Sequence, residues 1–272
     1  MKPRLSRRLA KHVISLPILS LLTGLVIGIG TTKPNSAQAV EATIAVAANF
    51  STTANKLAKA FQTESGQTVV IASGSTGQLY AQIRQGAPFD AFLAADQTRP
   101  ELLHKDEAAG REPFTYATGR LALWSPTPDA VPEDGAAFLT LAELKRIAIA
   151  NPKLAPYGMA AKESLTALGL WQTYETRIVM GQNIAQAFQI TAVGGAPVGF
   201  VALSQLLAAP EELHGSHWSV PANLHTSISQ DAVLLKRGTG NPAAEGFVAF
   251  LTSPAGCSII RDAGYQPSDL CT

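Results

Sequence analysis

Four stretches of the chain share one design: an apolar run ends, a loop of small, hydroxyl or amide residues follows, and a helix-forming stretch begins at once. They are Ala47-Ala48-Asn49-Phe50-Ser51-Thr52, Ser73-Gly74-Ser75-Thr76-Gly77, Asn151-Pro152 through Tyr157-Gly158-Met159, and Gly181-Gln182-Asn183-Ile184. The chemistry open to such junctions is anion binding. In open α/β sheets ligands sit beyond the carboxyl ends of the strands, where unpaired backbone N–H groups and the helix dipole favour negative charge. Apart from Lys153 the four stretches hold no Lys or Arg, so neutral donors would have to hold the anion. A fully ionised tetrahedral oxyanion offers only acceptors, whereas hydrogenphosphate also needs an acceptor in the site. No acid lies in these loops, which disfavours phosphate. Any one of these Ser, Thr or Asn residues could equally be an ordinary helix cap; it is the fourfold repetition that points to a ligand.

Other chemistries fit the residues less well. Ser73-Gly74-Ser75-Thr76-Gly77 is one residue short of the G-x-S-x-G elbow of serine hydrolases, lacking its first glycine. His214, His217 and His225 are candidate bases and Asp129 or Asp134 a candidate third member, but no local motif marks them. The His214-x-x-His217 pair with His225 has the residue types of a metal site, yet it is embedded in Gly215-Ser216 and Trp218-Ser219, a turn entering a strand rather than a helix face. The five tyrosines are scattered, unlike the adjacent pair of a ferric-ion carrier, and no G-x-x-x-x-G-K-[ST] loop occurs, so ATP hydrolysis belongs to another chain. An exported serine hydrolase is the enzyme alternative; a binding protein is favoured.

The elements that must position the four loops are legible from periodicity. Thr43–Ala47, Thr68–Ala72 and Ala91–Ala94 read as strands, alternating with helices over 52–63, with Ala54, Leu57, Ala58 and Phe61 on one face, and over 78–85. Gly66 and Gly86 are the expected helix stops. This βαβαβ order implies a right-handed series with parallel strands covered on both sides. A helix over 98–105 and a strand over 120–124 follow, and the Pro- and Asp-rich stretch from Ser125 to Gly135 marks a change of lobe. The second series runs through strands at 147–150, 177–180 and 198–201 and helices at 159–167, 184–191 and 204–208. A late strand at 231–235 and two helices opening on Pro242 and Pro254 complete it. Two of the four loops fall in each lobe.

Charge is segregated along the 272 residues: the first 39 carry six of the 21 basic residues and none of the 20 acids, leaving a mildly acidic remainder with no basic footprint for nucleic acid. That opening has a basic stretch to Lys11, an apolar run from Val13 to Ile29 broken by Pro17, and Ala37-Gln38-Ala39, the A-x-A pattern of a signal-peptidase site. Residues 1–39 are therefore expected to be a cleaved signal peptide, with the exported chain beginning near Val40. A retained membrane anchor is the alternative. Ser6-Arg7-Arg8-Leu9-Ala10-Lys11 partly resembles a twin-arginine signal, so the export route stays open. No cysteine sits at the cleavage site to carry a lipid. The only two, Cys257 and Cys271, are expected to pair in an oxidising compartment, two buried thiols being the alternative.

These residues carry a family resemblance. Ala47-Ala48-Asn49-Phe50, Ser73-Gly74-Ser75-Thr76-Gly77 with Tyr80-Ala81-Gln82-Ile83, Gly86-Ala87-Pro88-Phe89-Asp90 and Ala94-Ala95-Asp96 resemble the first lobe of periplasmic molybdate-binding proteins. Ala150-Asn151-Pro152 with Ala155-Pro156-Tyr157-Gly158, Gly199-Phe200-Val201-Ala202-Leu203 and Gly215-Ser216-His217-Trp218 resemble the second, so that the similarity runs in order from Glu41 to Gln266. The resemblance implies an α/β protein of two Rossmann-like lobes joined by a hinge that the chain crosses twice, the type II periplasmic binding protein fold. On this basis lobe I is 40–122 plus 225–272 and lobe II is 123–224. It also implies a periplasmic monomer without a cofactor or lipid anchor, which closes on molybdate or tungstate and delivers it to the permease and cytoplasmic ATPase of an ABC transporter. By motif position Asn49 matches a donor of the first loop and Thr76 the hydroxyl of the second, while Tyr157 and Ile184 match positions that offer backbone N–H. The tyrosine's identity should then matter less than its loop geometry. The chain departs from the family at Ala48, where some members have a hydroxyl, at Ala202, where others have a ligand-binding tyrosine, and at Thr76, where serine also occurs. These departures bear on the ranking of molybdate, tungstate and sulfate, and a sulfate receptor is the second alternative.

Overall fold

The computed structural model describes residues 41–141 and 144–271. The expected signal peptide, its cleavage motif and Val40 lie outside the described residues. In chain order the elements are β1 (Glu41–Ala47), a 3-10 turn (Ala48–Phe50) running into α1 (Ser51–Ser65), β2 (Thr68–Gly74), α2 (Thr76–Arg84), β3 (Ala91–Leu93), α3 (Thr98–Lys105) and β4 (Phe114–Gly119). Then come β5 (Leu121–Ser125), α4 (Gly135–Leu141), β6 (Ile147–Ala150), α5 (Pro156–Ala167), α6 (Trp171–Tyr174), β7 (Ile178–Gly181), α7 (Ile184–Ala192), β8 (Gly199–Ala202), α8 (Leu203–Ala208) and β9 (Ser216–Ser219). The chain ends in β10 (Ile228–Leu234), α9 (Pro242–Phe250), α10 (Pro254–Asp262) and β11 (Gln266–Pro267).

The strands form two sheets, in the orders β11-β4-β10-β3-β1-β2 and β7-β6-β8-β5-β9. The chain leaves the first sheet between β4 and β5, separated by Arg120 alone, and returns between β9 and β10: a hinge crossed twice. β1 is parallel to β2 and β3, and β6 to β7 and β8, as the βαβ pattern requires. Both sheets are nevertheless mixed. β10 runs antiparallel to β3 and β4, and β5 antiparallel to β8 and β9. β5 and β10, the first strand after each crossing, run against the parallel strands because a chain entering from the other lobe arrives in the opposite direction, and β11 at the sheet edge is reversed as well.

Side-chain periodicity explains the packing. Ala54, Leu57 and Phe61 are buried under α1, and Phe61 meets Phe247 of α9 edge-on at 5.7 Å. Gly66 ends α1 at φ 72°, a left-handed conformation that costs glycine no Cβ clash. α9 and α10 each begin on proline, and their capping residues Asn241 and Ser253 accept the free N–H groups of Ala244 and Gly256. The core around Leu123, Ile147, Ile149 and Phe200 of the second sheet also takes in Ala47, Ala48 and Ala95 from the first, so the two lobes are packed together. Several elements differ from the sequence expectation, which holds no counterpart of α4, α6 or β11. β4 was not anticipated, because Phe114-Thr-Tyr-Ala-Thr-Gly mixes hydroxyls with apolar residues and is only partly buried. α5 starts at Pro156 rather than Met159, since proline's fixed φ suits the first helical position.

Candidate functional site

All four strand–helix junctions end at one place. A very small cavity, about 10 Å³ in volume, is lined by Ala47, Ala48 and Asn49 from the first junction and Ser75 and Thr76 from the second. Ala155, Pro156 and Tyr157 come from the third, Asn183 and Ile184 from the fourth, and Ala95 from the end of β3 completes the lining. Asn49, Thr76, Tyr157 and Ile184, singled out from sequence, therefore share one wall-to-wall site, two from each sheet. No Lys, Arg, Asp or Glu lines it. Its polarity comes from the helix starts: α2, α5 and α7 begin at Thr76, Pro156 and Ile184, and the turn ahead of α1 begins at Ala48. First-turn N–H groups have no carbonyl partner within their own helix, so Tyr157 at the second position of α5 and Ile184 at the first of α7 carry donors to the cavity wall. Aligned peptide dipoles add partial positive charge there without any ionised side chain.

The side chains are set by local bonds. The Ala95 N–H donates to Thr76 Oγ1 at 3.1 Å, which fixes the hydroxyl and leaves its hydrogen unspent. Ser75 caps α2, its Oγ accepting the Gln78 N–H at 3.3 Å, and it is buried with its own hydrogen likewise unspent. Asn183 caps α7 through Oδ1, which accepts the Gln186 N–H at 3.0 Å. Asn49, matched by the resemblance to a donor of the first loop, spends its side-chain amide elsewhere. Its Nδ2 donates to Gln230 Oε1 at 2.9 Å and to the Tyr265 hydroxyl at 3.1 Å, so both amide hydrogens are committed inside the protein and its backbone N–H is what remains for the cavity.

Tyr157 carries a second revision. Its ring is fully buried in the core of the second lobe and its hydroxyl reaches into the first, accepting a long 3.5 Å bond from Gln230 Nε2. A Cβ on Gly119, at the hinge, would collide with that hydroxyl. The side chain thus matters structurally although it points away from the cavity. Burial pushes the phenols of Tyr116, Tyr157 and Tyr265 above their ordinary range, and for Tyr116 and Tyr157 the neighbouring phenols add to it. All three stay neutral donors at any physiological pH.

Ser75, Ala95 and Asn183 were not named as site residues from sequence, although Ser75 and Asn183 lie inside the quoted loops and the capping spacing could have marked them. Ala202, where a ligand tyrosine occurs in some relatives, is buried at the start of α8, bonded through its N–H to Gln205 Oε1 at 3.0 Å, and does not reach the cavity. Two of the histidines weighed as bases for a hydrolase are bonded elsewhere. The ring of His214 bonds the Ala209 carbonyl and that of His225 the Thr226 carbonyl, and no histidine contacts Ser75 among the described residues. Among those residues there is also no cluster of three or more His, Cys, Asp or Glu able to hold a metal ion.

Residues 42–266 match the family described as bacterial extracellular solute-binding protein. The chain is 46% identical to the molybdate-binding protein ModA of Azotobacter vinelandii over 232 residues, covering 85% of this chain and 91% of the relative. It is 45% identical to ModA of Rhodobacter capsulatus over 244 residues, 89% of this chain and 94% of the relative. The solved structure of the Azotobacter vinelandii periplasmic molybdate-binding protein superposes with a TM-score of 0.79 at 41% identity, covering 84% of this chain and all of the other. The fold is that of a type II binding protein, and the chain belongs to the bacterial extracellular solute-binding protein family.

Proposed function

We propose that this protein is a periplasmic receptor that captures molybdate or tungstate in the cavity between its lobes and delivers it to the permease and ATPase of an ABC transporter. The observation that carries the reading is the convergence of four neutral-donor junctions, two from each lobe, on one small cavity without an ionised side chain. Such a shell suits a small, fully ionised oxyanion. It supplies donors from backbone and hydroxyls and no carboxylate to take the proton of a protonated oxyanion. The two relatives at 46% and 45% identity bear names that specify molybdate, which supports the same ligand here.

Within this reading Thr76 donates its hydroxyl, and Asn49, Tyr157 and Ile184 donate backbone N–H groups. The lobes are taken as 40–122 plus 225–272 and 123–224, although the start of β5 at Leu121 favours a first crossing nearer Arg120. Closure brings half of the donors from each lobe, so the ligand binds the closed form better and shifts the population toward it. Residues 1–39 serve as a cleaved export signal, and the protein acts as a monomer with no lipid anchor. Titration calorimetry with molybdate, tungstate, sulfate and phosphate in one buffer is the test. Tight binding of the first two with little response to the others is expected. Equal affinity for sulfate would replace the ligand, and no binding to any of the four would remove the site.

A further inference from the structure

Continuous with Asn49 in the cavity wall is a buried set of polar groups that joins the lobes. Its centre is Tyr265, 4% exposed, in the segment between α10 and β11. The hydroxyl of Tyr265 donates to the Asn49 carbonyl at 2.8 Å and accepts from Asn49 Nδ2 at 3.1 Å and from Ser204 Oγ at 2.8 Å. One donor and two acceptors are the whole hydrogen-bonding capacity of a phenol, and all three are used. Asn49 and Tyr265 stand on the first sheet's side, whereas Ser204 lies in α8, directly after β8 of the second sheet. Gln230 completes the set: its Oε1 accepts from Asn49 Nδ2 and from the Tyr116 hydroxyl at 3.1 Å.

We infer that Tyr265 is a positioning residue whose hydroxyl holds the Asn49 loop in its ligand-binding conformation and latches the second lobe to it through Ser204. The inference rests on the proposed oxyanion site and goes beyond it, because neither Tyr265 nor Ser204 contributes a donor to the cavity in this account. Three features make Tyr265 suited to the task. The phenol is neutral, so it can sit behind an anion without competing charge. Its ring is held independently of the hydroxyl, edge-on to Phe50 at 5.1 Å. Its backbone is stapled, because it lies inside the loop closed by the Cys257–Cys271 disulfide and directly before Gln266, which pairs with Thr118 of β4. Ser204 Oγ also lies 3.4 Å from the Asn49 carbonyl, so opening the lobes takes Ser204 away from both Tyr265 and that carbonyl, and loop order and closure rise and fall together.

The test compares the wild type with Tyr265→Phe, Ser204→Ala and the double variant, reading molybdate dissociation and association rates together with small-angle scattering of ligand-free and molybdate-saturated protein. Tyr265→Phe keeps the ring packing and removes only the hydroxyl. Either single variant is expected to weaken affinity about tenfold, through faster dissociation at an unchanged association rate, and to enlarge the radius of gyration. The double variant should lose little more than Tyr265→Phe alone, because both changes break one node. Dissociation rates within twofold of wild type together with unchanged scattering would overturn the latch while leaving the molybdate site intact. Conversely, variants that expand in a protein whose wild type binds no molybdate would sustain the latch and dispose of the proposed ligand.

Discussion

Thr76 and Asn49 line the same cavity yet are prepared for it differently. Thr76 has one lone pair occupied by the Ala95 N–H and its hydrogen free, so Thr76→Val keeps the shape and removes one donor to the anion. A loss of about 1.5–3 kcal/mol in molybdate binding is expected, the range for hydrogen bonds to charged groups. A calorimetric loss below about 0.5 kcal/mol would mean that backbone N–H groups carry that loop. Asn49→Ala should act on two properties at once, since its amide serves Gln230 and Tyr265 rather than the cavity. Its melting temperature should fall with the affinity, whereas Thr76→Val should leave the melting temperature nearly unchanged. For Tyr157, replacement by Phe forfeits only a 3.5 Å bond and should change ligand affinity little, while Tyr157→Ala opens a buried cavity at a cost of about 3–5 kcal/mol in stability, measured by denaturant unfolding.

Elements set the distances that these residues need. Gly158 lets the first turn of α5 approach β6: a Cβ there would collide with the Ala150 carbonyl, so no side chain fits. Gly158→Ala should displace the Tyr157 N–H and lower both molybdate affinity and thermal stability, and an unchanged affinity would mean that α5 does not supply the donor. At Gly77 a backbone hydrogen bond spans the lobes, the Gly77 N–H donating to the Leu154 carbonyl at 2.8 Å. The C-terminal segment is an element of another kind, two short strand residues and a tyrosine held in a loop of 14 positions by Cys257 and Cys271. Closing a loop of that length stabilises by about 3 kcal/mol in the chain-entropy account. Reduction should lower the unfolding midpoint accordingly and speed molybdate release, because Tyr265 loses its staple.

At the scale of the whole molecule, three neutral phenols are enclosed where the lobes meet. Tyr116, Tyr157 and Tyr265 all have folded-state pKa values raised by burial, whereas in the unfolded chain each titrates near about 10. A raised folded value means that the unfolded state loses its protons first. The stability contributed by the buried phenols is complete below about pH 10 and is lost as pH rises above it, by up to about 1.4 kcal/mol per pH unit for each phenol. Denaturant unfolding followed from about pH 8 to about pH 11 should therefore steepen downward past the unfolded phenol pKa. Tyr265→Phe should flatten the decline by about one phenol's share, and an identical slope would place that phenol in solvent in the solution structure.

The two βαβ series, the helix starts and the four donor loops were legible because each is written in local periodicity: apolar strands, amphipathic helices, and small or hydroxyl residues where one gives way to the other. Asn49, Thr76, Tyr157 and Ile184 lie in or beside those loops, but it is the family resemblance that singles them out and arranges them about a common ligand. The direction in which Asn49 spends its amide could not be read that way. Its partners Gln230 and Tyr265 lie 181 and 216 positions away, and a lone glutamine or tyrosine in an apolar stretch has no local mark of its role. The same holds for the mixed strand directions at the hinge and for the interlobe bond of Ser204. Each follows from which strands become neighbours when the sheets assemble, and that is decided by burial and hydrogen-bond satisfaction across the whole chain rather than by the order of residues within any stretch of it.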